Sequence, residues 1–292
     1  FYDALMSHIS TPQQHNFISS LGYSLGYLGG GILFLLQVLL ITHPSWFGLS
    51  SSTQGIQYSF ISTALWWGLF SIPLITYVKE HHTQQTRQRP SIRTTISLVM
   101  SSAPIKWFLI AYFLYIDGVH TIIRMAVDYG LSIGFTPQDL IKALLLVQFI
   151  GFPAALVFGK IGQKWGARTG IMLGLLIYIL ITIWGSGLSS ITEFYIISIL
   201  VGCSQGGIQA LSRAYFSKLI PNDQHATYFG IYNMVGKYAV ILGPLLIGLI
   251  NLLLFYCHVQ PTLISRVGIL SLLIFFLLGL YILQKKVPKD VI

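Results

Sequence analysis

Charged side chains are scarce in this sequence. They make up 9% of its 292 residues, against roughly 25% in a soluble domain. So little polar material cannot cover a water-facing surface, and a soluble globular fold is excluded. Acids are the scarcest, with 8 Asp and Glu against 17 Lys and Arg. The two cysteines, Cys203 and Cys257, lie far apart in apolar runs, with no CxxC pair and no Cys/His ligand spacing. A zinc site and a disulfide framework are therefore not expected, nor is any other metal or cofactor. An HExxH motif, a nucleophile with a neighbouring base and a GxGxxG turn after a strand are all missing, so an enzyme is not expected. The formal charge of +9 has no basic stripe with interleaved aromatics behind it, and nucleic acid is not a predicted partner.

What the chain has instead is long apolar runs. Hydrophobic residues make up 54% of it. A helix needs about 20 apolar residues to cross a bilayer. Eight stretches meet that requirement, near 17–41, 56–78, 105–129, 138–161, 169–187, 191–214, 227–255 and 263–284. The expected class is all-α, a polytopic membrane helix bundle, with the lipid bilayer as its solvent. Basic residues fall in alternate gaps: Lys79, Arg87, Arg89, Arg93 and Lys106; then Lys160, Lys164 and Arg168; then Arg213 and Lys218; then Lys285, Lys286 and Lys289. The gaps near 42–55, 130–137, 188–190 and 256–262 carry no Lys or Arg. Positive loops stay cytoplasmic, which puts the C-terminus and the 79–104 linker on that side. Arg266 departs from the alternation and is expected to snorkel.

Within the spans, Gly22, Gly26 and Gly30 recur four apart and predict a close helix contact. Gly202 with Gly206 and Gly236 with Gly243 predict others. Pro73, Pro153 and Pro244 should kink their helices. The third span carries polar groups into apolar surroundings: Asp117, His120 one turn on, and Arg124 two turns on. Intramembrane charges face a protein interior or a wet cavity and mark functional sites by default. Asp117 is a candidate proton-coupling or substrate-amine site, with Arg124 or Lys237 as counter-charge; an ion pair that merely holds helices together is the alternative. Asp128, four residues past Arg124, is placed to pair with it. Asn233 and Lys237, one turn apart, and Gln205 and Gln209, also one turn apart, complete the candidate pathway.

Several segments resemble a known family. "FGKIGQKWGARTG", residues 158–170, resembles the cytoplasmic loop motif of the major facilitator superfamily. Gly159, Lys164, Gly166 and Arg168 match it, and Gln163 stands where that motif has an acid. "FYDALMSHIS", "LGYSLGYLGGG", "YIDGVHTI", "GGIQALSRAYFSKLIP" and "FGIYNMVGKYAVILGP" together resemble the vacuolar amino-acid effluxer family tied to autophagy in fungi, and its bacterial relatives. The resemblance implies a major facilitator fold of twelve helices in two six-helix bundles, working by alternating access. About eight of the twelve would be present here, with further spans expected upstream of Phe1. Residues 1–78 would be the remnant of the first bundle, 79–104 a basic cytoplasmic linker, and 105–292 the second bundle. Ser212 and Arg213 match a Ser-Arg pair in that family, which adds them to Gly159, Lys164, Gly166 and Arg168 as a cytoplasmic gate. The implied activity is secondary transport of a small solute, an amino acid moving outward, with a proton as the candidate coupling ion. The implied location is a bacterial inner membrane. The rivals are export of a drug or a sugar, and a truncated chain that does not transport.

Overall fold

A computed structural model of the chain describes residues 3, 5–6, 10–78, 92–221 and 224–289. The described residues form helices and turns, with no strand among them. The helices are α1 (His15–Thr42), α2 (Ser52–Tyr77), α3 (Ile92–Ser101), α4 (Ala103–Ser132), α5 (Pro137–Trp165), α6 (Ala167–Ser186), α7 (Ile191–Leu219), α8 (His225–Tyr238), α9 (Leu242–Tyr256), α10 (Pro261–Leu270) and α11 (Leu273–Lys286). Among the described residues, eight segments are long and apolar enough to cross a bilayer, and each coincides with one expected span. This is an integral membrane helix bundle.

Two of the eight spans are broken. The seventh is α8 plus α9, interrupted at 239–241. Pro244 explains the break. It has no N–H to give the Val240 carbonyl, and it sits in the first turn of α9, where a missing donor costs nothing. The eighth is α10 plus α11, interrupted at Ser271 and Leu272. No proline is involved there. The Ser271 hydroxyl bonds back to the Gly268 carbonyl at 2.6 Å, a local competitor to the helical ladder. Pro73 and Pro153, by contrast, lie inside unbroken helices.

Helix ends follow local chemistry. Ser190 and Glu193 form a capping box at the start of α7: the Ser190 hydroxyl accepts from the Glu193 amide at 3.3 Å, and the Glu193 carboxylate accepts from the Ser190 amide at 3.0 Å. Gly166 takes φ +88° between α5 and α6, a backbone shape that L side chains rarely adopt. The expected 79–104 linker is helical over Ile92–Ser101; its basic part, 79–91, lies outside the described residues. Arg266, expected to snorkel, is half-buried and reaches the loop between α6 and α7. Its Nη2 donates to the Leu188 carbonyl at 2.9 Å, tying α10 to the α6–α7 hairpin.

The chain separates into two compact units. One is 28–90; the other joins 1–27 to 91–292. In the first, the Gln37 amide donates to the Thr63 hydroxyl at 2.8 Å and to the Ser59 carbonyl at 3.1 Å, pinning the end of α1 to α2. Gly55 packs directly on the Leu40 carbonyl. Most large apolar residues of α2, Phe60, Trp67 and Ile75 among them, are exposed. Exposure of apolar side chains suits a surface in contact with lipid.

In the larger unit, α4 and α7 are the most deeply buried spans. Small residues let their neighbours close in. Gly202 would place a Cβ 2.9 Å from the Val147 carbonyl, Gly118 one 2.8 Å from the Phe276 ring, and Gly207 one inside the Phe158 ring. Gly236 meets Tyr112, and Gly243 meets Thr121. Gly26 differs from expectation: a Cβ there meets nothing within 4 Å. The first half of α1 docks through polar residues instead. His15, Asn16, Ser19, Ser20 and Ser24 are all buried. The Asn16 amide donates to the Gly162 carbonyl at 2.7 Å, the Ser19 hydroxyl to Ala210 at 2.6 Å, and the Ser24 hydroxyl to Phe152 at 2.8 Å.

Gly207→Ala is expected to cost about 1–3 kcal/mol through overpacking against Phe158, seen as a lower midpoint of thermal unfolding in detergent. Gly230→Ala, at a helical position with open space around it, should not lower the midpoint, because alanine favours the helix.

Candidate functional site

The site is built on one stripe of α4. Tyr112, Ile116, His120 and Arg124 follow one another at four-residue spacing, so they lie along one face. All four line a cavity of about 560 Å³. Gln209 of α7 and Tyr23 of α1 form further walls. Asn233, Gly236 and Lys237 of α8, with Val240 and Ile241 at the break in the seventh span, close it. Asn233, Gly236, Lys237, Val240 and Ile241 recur at helical spacing, so the same face continues from α8 into the break.

Five of the seven expected pathway residues thus converge: His120, Arg124, Gln209, Asn233 and Lys237. Arg124 and Lys237 are exposed within the cavity region, and neither has a carboxylate within ion-pair distance among the described residues. Asp128 does not pair with Arg124. The Nδ1 atom of His120 is buried with no hydrogen-bond partner.

Asp117 is placed differently. It is fully buried and does not line the cavity. Helical wheel arithmetic puts residues 117 and 124 within about 20° of each other, yet the cavity follows the neighbouring 112–124 stripe. The Asp117 carboxyl abuts the start of α9. The Gly243 backbone lies beside it but completes no hydrogen bond, and both carboxyl oxygens are without a partner. Thr121, one turn on and in contact with Gly243, also has an unpartnered hydroxyl. Gln205 faces another way too. It lines an apolar cavity of about 70 Å³ between α4, α5 and α7, and its side chain lies next to the Tyr27 hydroxyl.

The expected gate residues separate into tethers and one exposed lysine. Arg213 is a hub. Its Nε donates to the Ser19 hydroxyl at 2.9 Å, its Nη2 to the Ser19 carbonyl at 3.1 Å, and its Nη1 to Asp3 at 2.9 Å. Its guanidinium stacks 4.9 Å from the Tyr23 ring centre. Ser212 shares a 2.7 Å hydrogen bond with the buried Tyr115 hydroxyl, joining α7 to α4. Arg168 donates to the Leu283 and Gln284 carbonyls at 3.0 and 2.6 Å, which satisfies the C-terminal turn of α11 with a cation where its dipole favours one. Gly159 rests against Ser20. Lys164 is exposed, 5.6 Å from the Trp165 ring centre.

A second cavity, about 400 Å³, adjoins the first through Tyr23 and Gln209, which line both. Asp3, Tyr27, Gln148 and Arg213 contribute to it, together with Gly22 and Gly26. The glycines of α1 therefore open space here. Asp3, Tyr23 and Tyr112 had not been singled out from the sequence. Asp3 carried one legible signal, an isolated acid in a chain whose deep Arg213 needed a partner. Nothing in the sequence marked the tyrosines.

Fold and site together define a class: a polytopic helical membrane protein of the major facilitator kind, with a polar cavity lined by its spans. The chain belongs to the family described as vacuole effluxer Atg22 like, whose profile matches residues 6–287. It is similar to YxiO of Bacillus subtilis, named as an uncharacterized MFS-type transporter, at 36% identity over 99% of this chain and 67% of that protein. It is also similar to autophagy-related protein 22 of Yarrowia lipolytica, at 24% identity over 80% of this chain and 45% of that one. The same-named protein of Kluyveromyces lactis shares 27% identity over 80% of this chain and 52% of its own length. The chain thus spans about half the length of these fungal relatives.

Arg213→Gln should cost about 3–5 kcal/mol, because it leaves Asp3 unpaired and strands two acceptors on Ser19. Asp3→Asn should cost less, since the Ser19 bonds survive. Thermal unfolding of the two purified variants beside the parent checks the order.

Proposed function

We propose that the chain is the transporting part of a secondary active carrier that moves a small solute by alternating access. The observation that carries this reading is the polar cavity within the spans, where His120, Arg124, Gln209, Asn233 and Lys237 meet. Charged groups held at membrane depth are costly unless they face a hydrated route or a partner. The names of the relatives, a transporter in Bacillus and vacuole effluxers as a family, support the same reading.

On this reading residues 1–78 belong to the first bundle of a twelve-span fold and 105–292 to the second. The carrier works in a bacterial inner membrane with its C-terminus in the cytoplasm, and the exported solute is an amino acid. Arg213, Ser212, Arg168, Gly159, Gly166 and Lys164 hold or release the cytoplasmic closure. The Arg213–Asp3 pair is the contact that breaks and reforms, because it joins α7 to a segment far away in sequence. Asp117 carries the coupling proton. Its carboxyl sits against the first turn of α9, so a change in its charge is felt at the break in the seventh span rather than by the solute directly.

Counterflow of labelled neutral amino acids in vesicles tests the carrier reading. Saturable exchange that falls at least tenfold in Gln209→Ala or Asn233→Ala is the expected result; vesicles that trap no label above protein-free controls would overturn it. For Asp117, the expected outcome in Asp117→Asn is retained counterflow with loss of accumulation driven by a pH gradient. Accumulation at the parent rate would remove Asp117 from the coupling.

A further inference from the structure

We infer that the larger cavity is an anion site, and that the solute is held by a carboxylate and needs no ammonium group. The inference rests on reading the cavity as a solute path and names the chemistry of that solute. Arg124 and Lys237 both line the cavity, and neither is neutralised by a carboxylate among the described residues. Two cations facing one cavity at membrane depth repel each other and lack a counter-charge. An entering oxyanion would supply that charge and accept hydrogen bonds from guanidinium and ammonium together.

The acids nearby are otherwise placed. Asp117 is buried against α9, Asp3 is engaged by Arg213, and Asp128 is not part of the lining. An ammonium would therefore enter a cavity whose described lining offers it two positive charges and no carboxylate. The remaining polar lining, the Gln209 and Asn233 amides and the His120 ring, can donate or accept and so does not oppose an anion. Ile116, Val240 and Ile241 supply apolar wall, and Tyr112 an aromatic one. A volume of about 560 Å³ falls in the usual range for a small organic ligand. These features fit a monocarboxylate with an apolar or aromatic body.

The test uses the purified chain in nanodiscs of neutral phosphatidylcholine, with binding followed by calorimetry. Three probes separate the charges: phenylacetate has the carboxylate alone, phenylalanine has both groups, and phenethylamine has the ammonium alone. Phenylacetate should bind at least as tightly as phenylalanine, with phenethylamine not binding. Arg124→Gln and Lys237→Gln should each weaken phenylacetate about tenfold or more, the loss of one charge-assisted bond. Arg124→Lys should recover part of it, which distinguishes lost charge from a misfolded variant. Lys142→Gln, outside the cavity, should leave binding unchanged.

Binding of phenylalanine without phenylacetate overturns the inference while leaving the carrier reading intact. So does phenethylamine binding as well as phenylacetate, or phenylacetate binding that ignores both charge-removing variants. Failure of all three probes also overturns it, and counterflow then decides the carrier reading separately. If anionic phosphatidylglycerol in the disc abolishes probe binding, the site takes a lipid headgroup and the assignment to a soluble carboxylate falls.

Discussion

Ser19 donates its hydroxyl proton to the Ala210 carbonyl, and its own oxygens accept from Arg213. One side chain on α1 thus satisfies a guanidinium and a carbonyl on α7. His15 does the same for Ser217 at 2.7 Å, Asn16 for Gly162, and Ser24 for Phe152. These groups are buried away from water, so each would be costly without its partner. The constraint runs both ways. The seam holds the first half of α1 in the larger unit, and the same seam carries Tyr23 to the point where both cavities meet. Remove it, and neither cavity keeps that wall.

Small residues and broken spans do the remaining positioning. Gly202, Gly207 and Gly118 let α5, α7, α4 and α11 approach until side chains touch backbone. Close packing replaces the hydrophobic effect as the force between helices in lipid. The break at 239–241 starts α9 against Asp117 and Thr121. The fold thus keeps its most polar α4 residues on two sides: His120 and Arg124 toward the cavity, Asp117 toward the break.

Much of the site was legible in the sequence because charge in an apolar span is conspicuous. His120, Arg124, Gln209, Asn233 and Lys237 could be found one by one as polar residues at membrane depth, and they converge. Their neighbours could not. Tyr112, Tyr23 and Ile116 are unremarkable in a chain rich in aromatics and aliphatics. The small residues of α1 illustrate the opposite error. A four-residue glycine spacing looks the same whether it closes a helix contact or clears a cavity, and Gly26 clears one.

The sequence by itself determined the spans, since length and hydropathy along the chain are one-dimensional properties and lipid reads them directly. It did not determine which span is broken: Pro73 and Pro153 sit inside unbroken helices, Pro244 follows a break, and the eighth span breaks without a proline. Tertiary structure alone decided which way Asp117 faces. On α4 Asp117 lies within about 20° of Arg124 and about 60° of His120, and helical spacing does not say where a neighbouring helix stands. It decided, too, that Arg213 meets Asp3 across 210 residues of sequence. The partner of a buried charge is chosen by packing in three dimensions, and no periodicity within either helix records it.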